Sequence, residues 1–330
     1  MKRAMASDSV RELCALALLC VASGLLLGRA RRRALPLFLI SLRRRPAKRA
    51  SALERVAAAG FADVWLYDAV DGKDLRSRGL PTGVSVYDGW RLPTSTFRFY
   101  NRNLKWGEVG CALSHYHVWE KVVQLGLPFA VVVEDDAAFV ENAREAVVHV
   151  VRRLEKLAMV GKVPPPDLLY LARKPCWPQH ELSIENLVGD ASMCSDTTRL
   201  VGCSIAEGVS DIRSGQSGSK CQSTDGFLCT DVGLGIVIPA FSYKTTAYVL
   251  WNSGAQKFLA SNYLANLIPV DEFIPLLYSN HDPGPGLSRS DLDELFAHAP
   301  RLHAYAVKPM LARERRGLSD TENSEVMIRL

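Results

Sequence analysis

Phe129-Ala130-Val131-Val132-Val133-Glu134-Asp135-Asp136 is the most strand-like run in the chain, and it ends in three adjacent carboxylates. A continuous apolar, β-branched stretch of this length reads as a central strand covered on both faces, as in a parallel sheet. In an open α/β sheet, ligands bind beyond the carboxyl ends of the strands. Three acids there repel one another and crowd an apolar strand end. A hard divalent cation, Mg²⁺ or Mn²⁺, relieves that repulsion and leaves coordination positions open for phosphate oxygens. If the run stays extended, Glu134 and Asp136 point to one side as metal ligands, while Asp135 faces a sugar or braces a neighbour. The alternative is a solvated acidic turn between strand and helix.

The flanking sequence fits a parallel-sheet architecture. Leu35–Leu42 reads as a buried strand, Pro46–Ala59 as a helix stopped by Gly60, and Val64–Tyr67 as a second strand, with Asp71-Gly72 as a turn. Residues 76–103 read as a long irregular connection. Val109–Val123 reads as a helix with an apolar stripe of Val109, Leu113, Tyr116 and Val123. Downstream, Asn142–Leu157 reads as a helix and Asp167–Ala172 and Tyr243–Leu250 as strands. A helix capped by Asn252 or Ser253 then runs to about Ala260, and a further one covers Val270–Tyr278. The tail beyond Ala312 is charged and is expected to be loosely held.

Two segments stand apart from this domain. Leu13–Gly28 is free of charge and flanked by Lys2, Arg3 and Arg11 before it and Arg29 and Arg31–Arg33 after it. Residues 1–34 are therefore expected to be a targeting or signal-anchor segment, and 35–330 a single domain. Residues 176–235 hold five of the eight cysteines and read as an insertion; without a C-x-x-C pair a zinc ribbon is disfavoured, and two disulfides or free thiols remain open. The cysteines favour a lumenal domain of the endoplasmic reticulum or Golgi, whereas the arginines after Gly28 favour a cytoplasmic one. The net charge of +5 sits largely in Arg31–Arg33 and Arg43–Arg45 rather than on an aromatic-studded face, so no nucleic-acid partner is expected.

Further candidates lie on either side of the acidic run. On the helix of Gly107–His115, the residues Glu108, Cys111 and His115 share a side that could face a donor, or else form a polar helix start over a buried thiol. Asp271 and Glu272 could supply the base that takes a proton from an acceptor hydroxyl; equally, they could be an acidic pair favoured by a helix dipole.

These pieces, in this order, resemble glycosyltransferase family 25, which holds bacterial lipooligosaccharide galactosyltransferases and procollagen galactosyltransferases. The similar residues are Phe38–Leu42 with Arg44, Arg45, Pro46 and Arg49; Asp68–Lys73; Gly107–His115 with Trp119; and Val133–Asp136. Ala247–Val249, Gly254-Ala255, Val270–Phe273, Pro309 and Ser319-Asp320 continue the series. The resemblance covers about residues 36–320 outside the insertion. It implies a GT-A-like (Rossmann-like) α/β fold with a mostly parallel sheet, a UDP-sugar donor, Mn²⁺ or Mg²⁺, and inversion at the anomeric carbon. By carry-over, Glu134, Asp135 and Asp136 serve metal and diphosphate, and Asp71 and Gly72 lie near the nucleoside. Arg49 sits on the donor side or is a solvent-exposed helix arginine. The sugar implied is galactose and the acceptor a hydroxyl of a glycan, lipid or protein. The insertion lies between the donor and acceptor blocks, so the acceptor is not specified. A silent family member acting in adhesion or as a scaffold is the alternative from another class; a metal-dependent hydrolase is a third reading.

Overall fold

The computed structural model describes residues 35–92, 95, 98–188, 202–205, 227–230, 233–281, 290–315, 321 and 323–327. The expected N-terminal segment 1–34 and much of the 176–235 insertion lie outside them. No helix among the described residues is long and apolar enough to cross a membrane.

The chain opens as strand β1 (Leu37–Ser41), helix α1 (Pro46–Ala58) and strand β2 (Val64–Asp68). Pro46 pre-sets the first turn of α1, and Gly60, at φ 91°, ends it in a conformation that favours glycine. Asp71-Gly72 is not a free turn. Asp71 caps helix α2 (Gly72–Arg78), its carboxylate accepting the Lys73 N–H at 3.0 Å.

Helix α3 (Trp106–Gln124) leads into β3 (Phe129–Glu134), the short strand β4 (Ala137–Phe139) and helix α4 (Ala143–Met159). Strand β5 (Leu168–Pro175), the two-residue β6 (Leu182–Ser183) and helix α5 (Ile184–Val188) follow. Strands β7 (Gly202–Ile205) and β8 (Phe227–Thr230) pair with each other, setting Cys203 opposite Cys229 along the backbone register. Strands β9 (Gly235–Ile238) and β10 (Ser242–Trp251) and helices α6 (Asn252–Leu259), α7 (Val270–Leu276) and α8 (Ser290–Leu295) come next. Strands β11 (Ala304–Lys308) and β12 (Ala312–Glu314) complete the described elements.

Eight strands form one sheet in the order β2-β1-β3-β10-β5-β11-β9-β6. Strands β9 and β10 run against the other six, so the sheet is mixed, with a largely common strand direction. The alternation of side chains along each strand splits the core in two. Leu37, Leu39, Val131, Val133 and Val249 pack with α1 and α4 on one face. Phe38, Ile40, Val132, Tyr248 and Leu250 pack with α3, α6 and α7 on the other. Strand β3 is therefore covered on both sides, as its unbroken apolar run required. The result is an α/β/α, GT-A-like layering.

Two local readings are corrected. Asn252 and Ser253 do not cap α6: the Asn252 amide reaches the carbonyls of Val122 and Leu127, and the Ser253 hydroxyl reaches Asp167 at 2.7 Å. Nor is the C-terminal chain loose throughout. Trp106 donates to the Glu325 carbonyl at 3.0 Å, Met327 to the Leu104 carbonyl at 2.8 Å, and Gly107 to the Ser324 hydroxyl at 2.9 Å. The tail thereby supplies partners for the exposed first turn of α3.

Gly254 marks the closest approach of α6 to the sheet. A Cβ there would lie 2.3 Å from the Asp167 carbonyl oxygen. Gly254→Ala is expected to destabilise the chain by about 1–3 kcal/mol through overpacking, read as a lower urea midpoint at unchanged slope.

Candidate active site

The site is assembled at the carboxyl edge of β1, β2 and β3, where the antiparallel β10 brings its N-terminal half alongside. Glu134 is the last residue of β3, and Asp135-Asp136 form a turn rather than an extended run. Helix α1 fixes that turn: Arg55 donates to the carbonyls of Asp135 at 2.6 Å and Ala137 at 3.0 Å. The Asp135 carboxylate is buried against Ser41, which donates at 2.7 Å, and Lys48, whose ammonium lies at 2.6 Å. Asp135 thus takes the bracing place in the acidic run. Ser41, Lys48 and Arg55 escaped the sequence reading because only the turn's fold brings them to it.

Glu134 is held from two elements. Thr245 of β10 donates to its Oε1 at 2.6 Å, and His115 Nε2 lies 3.2 Å from the same oxygen. His115 Nδ1 is 2.9 Å from the Tyr248 hydroxyl, which accepts from Trp119 Nε1 at 3.0 Å. An ionised Glu134 only accepts, so His115 carries its proton on Nε2 and accepts from Tyr248 on Nδ1. Burial pushes the Glu134 carboxyl upward, but the His115 and Thr245 contacts outweigh it and leave the group below its ordinary value. Tyr248→Phe is expected to leave the Trp119 N–H and His115 Nδ1 unsatisfied in the core. The expected loss is about 1–3 kcal/mol of stability, measured by chemical denaturation.

Asp136 has the opposite balance. Its Oδ1 is buried with no hydrogen-bond partner among the described residues. Burial, then the Glu134 charge, raises its carboxyl from 3.8 to about 7. Across the site, Asp271 in the first turn of α7 is also raised to about 7, by burial and then by Glu272, Glu134 and Glu108. A bulge in β10 connects these groups. Lys244 adopts φ 73°, rare for a residue with a side chain, and the register shifts between Tyr243 and Ala247. The Lys244 backbone N–H bonds Asp271 while the neighbouring Thr245 reaches Glu134.

Asp136, with an orphaned oxygen, and the better-held Glu134 are the two carboxyls at the end of β3, of the oxygen type a hard divalent cation takes, while Asp271 stands on α7 across the site. Cys111, His115 and Glu134 also bring one ligand atom each within 4.8 Å of one another. Burial and the charges of Glu134, Asp271 and Asp136 push the Cys111 thiol well up, however, and both His115 nitrogens are engaged.

The remaining candidates are placed as follows. Both Glu108 oxygens are taken within the chain: Arg102 grips them at 2.6 and 2.9 Å, and the Lys105 N–H donates at 2.6 Å, closing the start of α3. Glu272 is buried and accepts the Tyr100 hydroxyl at 2.7 Å, itself 3.0 Å from the Tyr243 hydroxyl. Arg49 ties the ends of β1 and β2 together through the Ser41 carbonyl and Asp68, each at 2.7 Å, with its buried Nε lacking a partner among the described residues. Asp71 is paired with Arg44 at 2.5 Å. Gly72 is a packing glycine; a Cβ would lie 2.6 Å from the Trp106 carbonyl carbon.

A GT-A-like sheet with acidic residues at its carboxyl edge is the layout that the resemblance to a glycosyltransferase family led one to expect. Residues 34–162 match the model described as glycosyltransferase family 25 (LPS biosynthesis protein). The chain is 33% identical over 297 residues to the inactive glycosyltransferase 25 family member 3 of Mus musculus, covering 87% of this chain and 39% of that one. It is 32% identical to the Homo sapiens protein of the same name, with the same coverage. It is 26% identical over 298 residues to procollagen galactosyltransferase 1 of Danio rerio, covering 88% of this chain and 39% of that one. The chain belongs to glycosyltransferase family 25, and it spans about two fifths of the length of these relatives.

Proposed function

We propose that the chain is a divalent-cation-dependent, inverting glycosyltransferase. It moves a sugar, galactose in the reading taken from the family, from a UDP-sugar to a hydroxyl of a glycan, lipid or protein acceptor. The observation that carries this reading is Asp136, a half-buried carboxyl beside Glu134 whose buried Oδ1 has no hydrogen-bond partner among the described residues. Such crowding is unfavourable unless a cation shares the site. Asp136 and Glu134 would hold Mn²⁺ or Mg²⁺, which would offset the negative charge of a leaving diphosphate. Asp135, with Lys48 and Ser41, keeps the turn in register with the donor.

Asp271 is the better base of the two α7 acids, because Glu272 is tied to Tyr100 inside the wall. Asp271 takes the proton of the acceptor hydroxyl as that oxygen attacks the anomeric carbon, and the bond from that carbon to the diphosphate oxygen breaks with its electron pair leaving on UDP. A carboxyl raised to about 7 is suited to accept a proton near neutral pH. We place the domain in the lumen of the endoplasmic reticulum or Golgi, tethered through residues 1–34.

The mouse and human relatives are named inactive, and this favours a second reading, a silent member serving as an adhesion or scaffold protein. UDP release from a panel of UDP-sugars, with Mn²⁺ and with chelator, separates the two. Metal-dependent release from one sugar supports the transferase. No release, together with no binding of UDP or Mn²⁺ by calorimetry, would leave the scaffold.

A further inference from the structure

We propose that a cavity beside the C-terminal end of α7, with the ring ladder at its rim, is a subsite for a neutral sugar at the end of the acceptor. This rests on the transferase reading and gives its acceptor a chemical class.

The cavity holds about 350 Å³, near the lower end of the roughly 300–1,000 Å³ of small-molecule sites. It takes the end of a glycan, not a length of one. Phe241, Pro275 and Phe296 supply apolar wall, while Ser279, Asn280 and Asp293 supply polar groups. That mixture matches a pyranose, whose C–H faces rest on apolar surface while its hydroxyls need donors and acceptors at the edges.

The rim adds rings. His180 lies 5.6 Å from Trp177 with planes 11° apart, and 4.8 Å from His281, which lines the cavity. His180 and His281 are both exposed. Trp177 and His180 come from the start of the insertion, and His281 lies about a hundred residues later in the chain. Folding thus brings rings from two distant segments together, the His180 and His281 planes 39° apart, and His281 carries the group to the cavity wall.

The site is unsuited to phosphate. Arg301, the cation of the cavity wall, donates to the Leu276 carbonyl at 2.8 Å and to the Asn280 side-chain oxygen at 2.8 Å. Its terminal nitrogens therefore hold the chain together, and the Asp293 carboxylate opposes a second negative charge. The Asn280 oxygen being taken, its amide nitrogen remains as a donor for a hydroxyl.

Placement ties the cavity to the chemistry. Pro275 follows Asp271 by four residues, about 6 Å along a helix and on the same side of it. Phe241 is three residues from Lys244, whose backbone N–H bonds Asp271. The cavity and the proposed base thus share helix α7, Asp271 in its first turn and Pro275 and Leu276 at its last.

The test is saturation-transfer NMR on the full chain with methyl β-D-galactopyranoside and methyl β-D-glucopyranoside. The same samples are assayed calorimetrically for UDP and Mn²⁺, and Trp177→Ala, at a half-buried ring, and His180→Ala, at an exposed one, are run alongside. We expect transfer to the ring protons of at least one glycoside. It should fall at least fivefold in one or both variants, with UDP binding unchanged in both and the melting temperature unchanged in His180→Ala. No transfer from either glycoside, or transfer undiminished in both variants, overturns the subsite while leaving the donor site as UDP binding reports it. Glycoside binding in a chain that binds neither UDP nor Mn²⁺ would keep the sugar subsite and sink the transferase.

Discussion

Asp136→Asn is expected to stabilise the metal-free chain at pH 7.5 while abolishing metal-dependent turnover. In the folded chain the Asp136 carboxyl titrates near 7 rather than at its ordinary 3.8, because burial and the adjacent Glu134 disfavour its charge. That displacement corresponds to about 4 kcal/mol, an upper bound on what removing the charge returns. An asparagine amide still has to be accommodated beside the orphaned position, so a gain of about 1–3 kcal/mol is expected. The sign with pH follows. Between about pH 4 and pH 7 the folded chain binds a proton at Asp136 that the unfolded chain has released. The metal-free protein therefore loses stability as pH rises through that window, and the loss is complete above it. Asp271, also raised to about 7, adds to the same slope, whereas Glu134, depressed by His115 and Thr245, opposes it at lower pH. Thermal melts from pH 4.5 to 8, with chelator, should show the slope in the native chain and a shallower one in Asp136→Asn. Added Mn²⁺ should stabilise the native chain most at high pH and the variant hardly at all. A variant less stable than the native chain without metal would contradict the unfavourable crowding on which the metal reading depends.

Much of this layout was legible in the sequence where physics is local. The apolar run of β3 and the Pro46-to-Gly60 helix carry their own periodicity and stops, and each lies within a residue or two of its expected limits. Strand direction is not local. Nothing within Ser242–Trp251 states that it runs antiparallel between β3 and β5, yet that reversal carries Thr245 to Glu134 and the Lys244 N–H to Asp271. Alternation along β10 also breaks at the bulge, so period-two reasoning could not assign Thr245 to the site. Strands β9 and β11 were missed because each is short and follows irregular text. Glu108 did carry a local signal. A glutamate at the third helical position is where a capping carboxylate belongs, and the structure puts it there with Arg102 and Lys105 as partners. Glu272 had no such signal, since its partner Tyr100 comes from the irregular 76–103 segment. The three acids of the central run fared differently for one reason: their roles depend on the turn at Asp135-Asp136, which an extended strand does not anticipate.

Asp271→Asn is expected to separate binding from chemistry. On the proposed mechanism it leaves Mn²⁺ and UDP affinity within about threefold of native and lowers kcat by about 10²–10⁴. Asp136→Asn instead removes Mn²⁺ binding along with turnover. The two carboxyls share a displaced titration and differ in company: Asp136 follows Glu134 directly on the turn after β3, whereas Asp271 opens α7 beneath the β10 bulge. A base works only when unprotonated, so native kcat should fall as pH drops below about 7 in proportion to charged Asp271. With Glu134 neutralised by a bound cation, one of the charges that raises Asp271 is screened, and the acid limb should move to lower pH. Asp271→Asn should flatten that limb, a change that general loss of packing does not produce. The same substitution should raise the melting temperature of the metal-free chain, since it too removes a carboxylate held in an unfavourable place. Glu272→Gln is the matched comparison. The Tyr100 hydroxyl donates to Glu272, and a glutamine carbonyl can still accept it, so stability should fall only slightly and the acid limb should persist. Turnover that survives Asp271→Asn within threefold but disappears in Glu272→Gln would reverse the assignment and make the buried acid the base.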